Sequence, residues 1–176
     1  RDKIRMDEHK IGDLIDQMLD TAQDVPLAVF GQFKKVVREI VDKGRLTLCD
    51  LGNTRAVDAM LDHFGILADL VTAAQNADVG VDYLVTRAIK VARKVLDRSN
   101  DLYTRKGVID FTDMIYLPAA KALPVKKYDV VLIDEAQDLN AAQLTVVLAA
   151  AGNRGRIIAV GDPKQAIMGF SGAAND

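Results

Sequence analysis

A strand, helix and strand pattern in the last third of the sequence restricts the fold more than any other feature. Residues 130–133 are a continuous aliphatic run, typical of a strand buried on both faces of a parallel sheet, and residues 157–160 are a second such run. Between them, Asn140 is a good helix N-cap, Gln143 completes a capping box and Gly152 suits the C-cap. We therefore expect two parallel strands joined by one helix in a right-handed crossover.

The chain before about residue 120 has the periodicity of amphipathic helices. Apolar residues recur on one face in four segments, near 11–19, 30–41, 54–75 and 81–99. Gly44 is predicted to end the second helix, and Gly65 to bend or divide the third. Residues 45–51 alternate polar and apolar side chains, a pattern too short to decide whether they form a strand. The predicted fold class is α/β, predominantly helical with a short parallel sheet.

Composition excludes several classes of protein. About half of the 176 residues are apolar, which is enough for a core, but no apolar run is long enough to cross a membrane. The first ten residues are too polar for a secretory signal, so we expect an intracellular, cytoplasmic protein with no membrane partner. Cys49 is the only cysteine and there are two histidines, so neither an internal disulfide nor a zinc site is predicted.

The fourth predicted helix carries a row of cations. Arg87, Lys90, Lys94 and Arg98 follow one another at spacings of three and four residues, which places them on one side of the helix. The row could follow a phosphate backbone, or it could simply be the solvated side of an amphipathic helix. The net charge of -2 does not decide between these interpretations.

Two carboxylates, Asp134 and Glu135, directly follow the first predicted strand. Ligands of parallel sheets bind at the carboxyl ends of the strands, and Asp162 lies at the end of the second strand. Hydrolysis of a nucleoside triphosphate needs a cation and an activated water, so Asp134 is a candidate to hold Mg²⁺ and Glu135 to orient or deprotonate the water. Alternatively, both acids are simply favoured by the dipole of the helix that follows.

The segment after the second strand, VGDPKQAIMGFSGA, offers a possible sensor and a stacking surface. Gln165 leaves the same edge as Asp134, and its neutral amide suits a group that reads a terminal phosphate. Met168 and Phe170 flank a glycine, and an aromatic ring on such a loop can stack on nucleic-acid bases. The alternative is that Phe170 fills a local hydrophobic gap.

Together, LIDEAQD and GDPKQAIMGFSGA resemble motifs II and III of the UvrD/Rep-like superfamily 1 DNA helicases, in a phage-type variant. The segment VIDFTDMIYL resembles, more weakly, the stretch that precedes motif II in these enzymes. The resemblance implies that a helical subdomain like subdomain 1B occupies residues 1–108. It implies that residues 109–176 are part of a RecA-like (P-loop NTPase) 1A domain, with Walker B and motif III.

The resemblance also implies roles for individual residues. Asp134 becomes the magnesium acid, Glu135 the catalytic base and Gln165 the contact to the γ-phosphate of ATP. Gln137 and Asp138 become the rest of motif II, which couples nucleotide to DNA. The residues implied to contact single-stranded DNA are Phe170, at the place of the stacking aromatic, and Met168, where a tyrosine is usual; Ser171 stands where many members have arginine.

None of the 12 glycines is followed by lysine, so the sequence contains no phosphate loop of the form G-x-x-x-x-G-K-[ST]. The leading hypothesis is a fragment of an ATP-dependent DNA helicase, of phage type, that lacks the Walker A loop and the second motor domain. Its cofactors would be ATP and Mg²⁺. Its partners would be single-stranded DNA and the rest of the helicase chain. The fragment alone would be inactive. The alternatives are a non-catalytic module that binds single-stranded DNA or a protein, and another phosphate-loop ATPase.

Overall fold

The computed structural model describes residues 3–19 and 24–162. These residues form two compact units. Unit 1 lies within Arg1–Gly44 and Asp50–Phe111, and unit 2 lies within Arg45–Cys49 and Thr112–Asp176. None of the helices in the described ranges is long and apolar enough to cross a membrane.

Unit 1 consists mainly of helices. They are α1 (Lys10–Leu19), α2 (Phe30–Thr47, whose last three residues belong to unit 2), α3 (Thr54–Phe64), α4 (Ala68–Asn76) and α5 (Val81–Lys106). A 3₁₀ turn, Leu27–Val29, precedes α2. Two short strands, β1 (Arg5–Met6) and β2 (Val108–Ile109), pair in parallel. The four helical segments expected from the sequence are therefore present, and the third is divided in two.

The core of unit 1 forms where amphipathic helices close on one another. Helices α1 and α4 pack against α5, which buries an apolar residue every three or four positions. Phe33 of α2, Leu70 of α4 and Leu84 of α5 are fully buried. One apolar stripe per helix is enough to build this core, because each stripe lies against another.

The glycines at 44 and 65 behave differently from each other. Gly65 adopts a left-handed conformation with φ of 60° and ends α3, as expected of a C-cap. The prediction that Gly44 ends α2 is wrong, because the helix continues to Thr47. A Cβ at Gly44 would come within 3.2 Å of the Leu51 side chain, so this glycine permits close packing within a helix. Residues 45–51 form the end of α2 and a turn, not a strand.

Unit 2 contains the strand, helix and strand pattern expected from the sequence. Its elements are α6 (Asp113–Ala120), β3 (Val130–Ile133), a 3₁₀ turn (Ala136–Asp138), α7 (Ala141–Ala151) and β4 (Arg156–Ala159). Strands β3 and β4 are parallel, with Val130 opposite Arg156 and Ile133 opposite Ala159. The capping box of Asn140 and Gln143 is confirmed, and Gly152 is the C-cap of α7. With two short parallel sheets and mostly helix, the chain is of the α/β class.

The expected burial of both strand faces is wrong for the described residues. Leu132 of β3 is 73% exposed, and Ile158 of β4 is 52% exposed. A parallel strand is buried on both faces only where other layers cover both. In the described part of unit 2 the sheet has two strands, and α7 packs against β3. The aliphatic runs therefore predicted the strands correctly but not their environment.

A buried ion pair connects the end of α2 with α6 inside unit 2. Arg45 Nη1 lies 3.3 Å from Asp113 Oδ1, and the two side chains are 2% and 0% exposed. Removing such charges from water is costly, and their mutual attraction repays the cost only while both partners are present. The pair therefore joins the start of the Arg45–Cys49 segment to α6 within unit 2.

Candidate functional site

The carboxyl ends of β3 and β4 form one edge that carries the predicted acids. The Val160 amide donates to the Ile133 carbonyl at 2.9 Å, and the Ala136 amide donates to the Val160 carbonyl at 2.9 Å. These two hydrogen bonds continue the sheet past its last paired residues. They bring the turn after β3, with Asp134 and Glu135, beside the residues that follow β4.

The backbone turns sharply between the two acids. Glu135 has φ of 50° and ψ of 46°, a left-handed conformation that is uncommon for a residue with a Cβ. Its amide donates to Asp134 Oδ1 at 3.0 Å, which stabilises the turn locally. Both carboxylates remain exposed. The turn therefore leaves both acids at the end of the strand, within reach of a ligand in solvent.

The Gln137 side chain links Glu135 to the end of β4. Its Nε2 donates to Glu135 Oε2 at 2.6 Å, and its Oε1 accepts from the Asp162 amide at 3.0 Å. Gly161 leaves room for this amide, since a Cβ there would overlap Gln137 Oε1. The sequence identified Gln137 only through the family resemblance. The local signal that could have found this link is a glutamine two residues after an acid, opposite a glycine at the end of the neighbouring strand.

Asp138 differs from the other polar residues of this turn. Its Oδ1 is buried and accepts no hydrogen bond from the residues that the structure describes. Its amide donates to the Glu135 carbonyl at 2.9 Å, which closes the 3₁₀ turn. A buried carboxylate oxygen without a donor is costly. Asp138 therefore contrasts with Glu135 and Gln137, whose side chains pair with each other.

The segment that follows β4 carries the other predicted site residues. Gln165, Met168 and Phe170 all lie outside the described residues, as does Ser171. Asp162, the last described residue, hydrogen-bonds to Gln137. The structure thus brings Asp134, Glu135 and Gln137 together with the residue at which this segment begins. The roles of all the predicted site residues stay predictions.

The exposed carboxylate of Asp134 has the chemistry of a magnesium ligand. Within residues 3–19 and 24–162, no group of three or more His, Cys, Asp or Glu side chains could hold a metal ion. Mg²⁺ commonly takes one or two carboxylates and completes its shell with water and substrate phosphates. An exposed aspartate at the tip of β3 fits that donor set, because Asp134 can supply one hard oxygen and leave the rest to the ligand.

A cavity of about 550 Å³ lies at the opposite edge of the same sheet. It is lined by Lys127, Tyr128 and Asp129 before β3 and by the turn from Ala151 to Gly155. The Lys127 ammonium donates to the carbonyl of Ala149 near the end of α7, so this lysine has a structural partner. The cavity contains none of the predicted site residues, and the candidate site is the open edge at Asp134.

The row of cations on α5 is divided by the structure. Arg87 makes two hydrogen bonds to Asp24, at 2.7 and 3.3 Å, and the Tyr83 hydroxyl donates to the same carboxylate at 2.8 Å. These contacts lower the pKa of Asp24 to about 2, with the Arg87 hydrogen bond as the main cause. The remaining members, Lys90, Lys94 and Arg98, are exposed. Arg87 is thus held by an ion pair within unit 1, whereas Lys90, Lys94 and Arg98 face solvent.

Curated proteins that are similar to this chain share limited identity over parts of it. The RecBCD enzyme subunit RecB of Mycolicibacterium smegmatis is 28% identical over 116 residues, covering 61% of this chain and 11% of the relative. DNA helicase II of Haemophilus influenzae is 32% identical over 88 residues, with coverages of 46% and 12%. An ATP-dependent helicase/nuclease subunit of Latilactobacillus sakei is 27% identical over 143 residues, with coverages of 75% and 16%. The matched part therefore spans less than a fifth of each relative.

No solved structure matches the chain. A protein-family profile, however, matches more of the chain than these relatives do. The family described as UvrD/REP helicase N-terminal domain matches residues 7–176, which extend over both units and the segment after β4. This match confirms the resemblance drawn from motifs II and III. The chain belongs to the UvrD/REP helicase family, in the part described as its N-terminal domain.

Proposed function

We propose that this chain is part of the first motor domain of an ATP-dependent DNA helicase that moves along single-stranded DNA. The observation that carries the proposal is the edge of β3 and β4, where Asp134 and Glu135 follow one strand and the Gln137 amide joins them to the end of the other. Family membership supports it. The names of two relatives, a DNA helicase II and an ATP-dependent helicase/nuclease, supply the reaction class, ATP and DNA.

Each acid has a distinct role in the proposed hydrolysis. Asp134 would hold Mg²⁺, directly or through water, and the ion when bound neutralises charge on the terminal phosphates. Glu135 would orient the attacking water and accept its proton. Both side chains are exposed at the left-handed turn, so one would face the cation while the other faces the water. Gln165 is proposed to contact the γ-phosphate.

The segment after β4 is proposed to contact DNA. Phe170 would stack on a base of the single strand, with Met168 beside it, which contributes about 1–3 kcal/mol per stacked base. Asp162, at which this segment begins, is hydrogen-bonded to Gln137, whose side chain also contacts the proposed base Glu135. That proximity supports a connection between nucleotide state and DNA contact.

We further propose that unit 2 is part of a RecA-like 1A core, and that unit 1 corresponds to subdomain 1B. A phosphate loop and a second motor domain, which the proposed reaction requires, would come from other parts of the protein. The matched regions cover 11%, 12% and 16% of the three relatives, which is consistent with that arrangement. The proposal therefore expects the 176 residues alone to be inactive as an ATPase.

The test is ATP hydrolysis by the full-length product of the gene that contains this sequence, with and without single-stranded DNA. Glu135→Gln is expected to lower kcat by about 10²- to 10⁴-fold, the usual contribution of a general base. Glu8→Gln, at an exposed site in unit 1, is the matched control and should leave kcat unchanged. DNA-stimulated hydrolysis that persists at the original rate in Glu135→Gln would contradict the proposal. So would an active 176-residue chain whose activity Glu135→Gln removes.

One observation favours a second candidate function, a non-catalytic module that binds single-stranded DNA. Lys90, Lys94 and Arg98 are exposed on α5, about 6 Å apart along the helix axis, and they form no ion pair with described residues. Titration of a labelled oligonucleotide into the 176-residue chain tests it. This candidate predicts binding that weakens with salt and with the triple substitution of these residues by alanine. Absence of binding at low salt would exclude it.

A further inference from the structure

We propose that Gln137 is a positioning residue, which holds the Glu135 carboxylate in place and makes its position depend on the backbone where β4 ends. The inference rests on the proposed function, because it concerns the residue to which the attacking water is assigned. Its basis is the pair of hydrogen bonds at opposite ends of one amide, 2.6 Å to Glu135 Oε2 and 3.0 Å from the Asp162 amide.

The Glu135 end of this link restricts an otherwise free side chain. Glu135 is exposed, and an exposed glutamate samples several rotamers. The hydrogen bond from Gln137 Nε2 selects one of them and leaves the second carboxylate oxygen to act on water. A displacement of about 1 Å at a reacting group can cost about 100-fold in rate. Holding this carboxylate is therefore a contribution to catalysis that does not require Gln137 to touch the substrate.

The Asp162 end determines which way the amide points. The backbone N–H of Asp162 is a donor, so it fixes the carbonyl oxygen of Gln137 on its side and leaves the NH₂ group for Glu135. A movement of the Asp162 backbone would therefore move or release the group that holds Glu135. Because Asp162 immediately precedes the segment with Gln165 and Phe170 in sequence, the amide provides a direct physical connection from that segment to the proposed base.

Gly161 makes the link possible. A Cβ at this position would overlap Gln137 Oε1 and lie 2.9 Å from the Ala136 nitrogen. Any larger residue would push the amide out of its place between the two strands' ends. The glycine at the end of β4 is thus explained by the passage of the Gln137 side chain and by the close approach of the Ala136 backbone, without any unusual backbone conformation of its own.

The experiment measures steady-state ATP hydrolysis by the full-length protein with saturating single-stranded DNA. Gln137→Met has a side chain of similar length but lacks both hydrogen bonds, and we expect it to lower kcat by about 10- to 100-fold. The KM for ATP should change by less than about 2-fold, because Gln137 is not expected to contact the nucleotide. Gln75→Met, at an exposed position of α4, is the matched control. Gly161→Ala should reproduce the loss of kcat with every side chain of the link still present.

A double variant separates positioning from a general structural effect. If Gln137 acts through Glu135, then adding Gln137→Met to Glu135→Gln should leave the residual rate unchanged, because the group it positions is already lost. If Gln137 supports the fold or acts independently, the residual rate should fall again by the same factor as in the single variant. Release of radiolabelled phosphate makes these low rates measurable.

The outcomes distinguish this inference from the proposed function. Unchanged hydrolysis in Glu135→Gln would overturn the proposed function, and the inference with it. Loss of activity in Glu135→Gln together with full kcat in Gln137→Met would overturn only the inference. A further loss in the double variant, or an increase in the KM for ATP with kcat unchanged, would also overturn it. If Gln137→Met does not fold, judged by circular dichroism, Gly161→Ala decides, and an unchanged kcat there counts against the inference.

Discussion

The two units of this chain use apolar residues in different ways. In unit 1, Leu84 lies on α5 and is fully buried, whereas in unit 2, Leu132 lies on β3 and is 73% exposed. Each helix of unit 1 needs cover on one side only, and its neighbours in the unit provide it. A strand that is apolar on both faces is buried only where other elements pack against both faces. Amphipathic helices can therefore complete a core within a short stretch of chain, while the environment of an apolar strand depends on residues elsewhere.

The buried ion pair of unit 2 should give the largest effect on stability. Asp113→Leu leaves the Arg45 guanidinium buried without its carboxylate, so we expect the free energy of unfolding to fall by about 3–5 kcal/mol. Urea denaturation of the chain measures it. The double variant Arg45→Met with Asp113→Leu is the control and should recover most of the loss, because it removes both charges. A loss of less than about 1 kcal/mol in the single variant would show that the pair does not stabilise unit 2.

The comparison of the two leucines can be tested directly. Leu84→Ala removes a side chain from the closed core of unit 1, so we expect a loss of about 2–5 kcal/mol. Leu132→Ala is the matched substitution at an exposed position and should change the free energy of unfolding by about 0.5 kcal/mol or less. Urea denaturation midpoints and slopes of both variants provide the measurement. Equal losses at the two positions would contradict the difference between the units.

These differences also explain how much of the fold the sequence could predict. Helices α1, α3 and α5 were predictable because their apolar residues repeat every three or four positions over long stretches. Gly44 was misread because glycine is common both at helix ends and where another side chain packs closely. The predicted burial of β3 is wrong because an aliphatic run indicates only that a strand favours burial. It does not indicate whether other elements pack against both of its faces. The pairing of Arg5 with Val108 joins distant parts of the chain, and no local pattern predicted it.

The candidate site was predictable in part for a similar reason. Asp134 and Asp162 were placed at one edge because parallel strands end together, which follows from topology alone. The hydrogen bonds of Gln137 depend on the left-handed turn at Glu135 and on side-chain rotamers, and neither has a sequence signal as strong as a strand or a cap. The assignments of Gln165, Met168 and Phe170 came from the pattern after the second strand together with the family resemblance, and they stay predictions.

The two asparagine caps extend the comparison to local structure. Asn140 begins α7 of unit 2 with a reciprocal capping box, at 2.9 and 3.0 Å, while Asn53 begins α3 of unit 1 with one bond at 3.3 Å. We expect Asn140→Ala to cost about 1–2 kcal/mol and Asn53→Ala about 0.5–1 kcal/mol. Thermal unfolding of the two variants measures the difference. The reverse order would show that the environment of each helix outweighs the geometry of its cap.

The smallest expected effect belongs to the surface of unit 1 and depends on pH. Hydrogen bonds from Arg87 and Tyr83 lower the pKa of Asp24 from its ordinary value of 3.8 to about 2. A lowered carboxyl pKa stabilises the fold above pH 4, and the stabilisation is lost as pH falls from about 4 to about 2. Because Asp24 is 41% exposed, solvent screening limits the contribution to about 0.2–1 kcal/mol.

Asp24→Asn should therefore lower the free energy of unfolding at pH 7 by that amount, and the loss should diminish as the pH falls from about 4 toward 2 and below. Asp97→Asn is the matched control, since Asp97 is exposed in the middle of α5, away from the charged ends of the helix dipole, and forms no ion pair with described residues. Urea denaturation at several pH values measures both variants. A loss from Asp24→Asn that is the same at every pH would assign the effect to packing of the 24–26 turn. A loss confined to pH above 4 would show that an exposed ionic contact, in addition to the apolar core, stabilises unit 1.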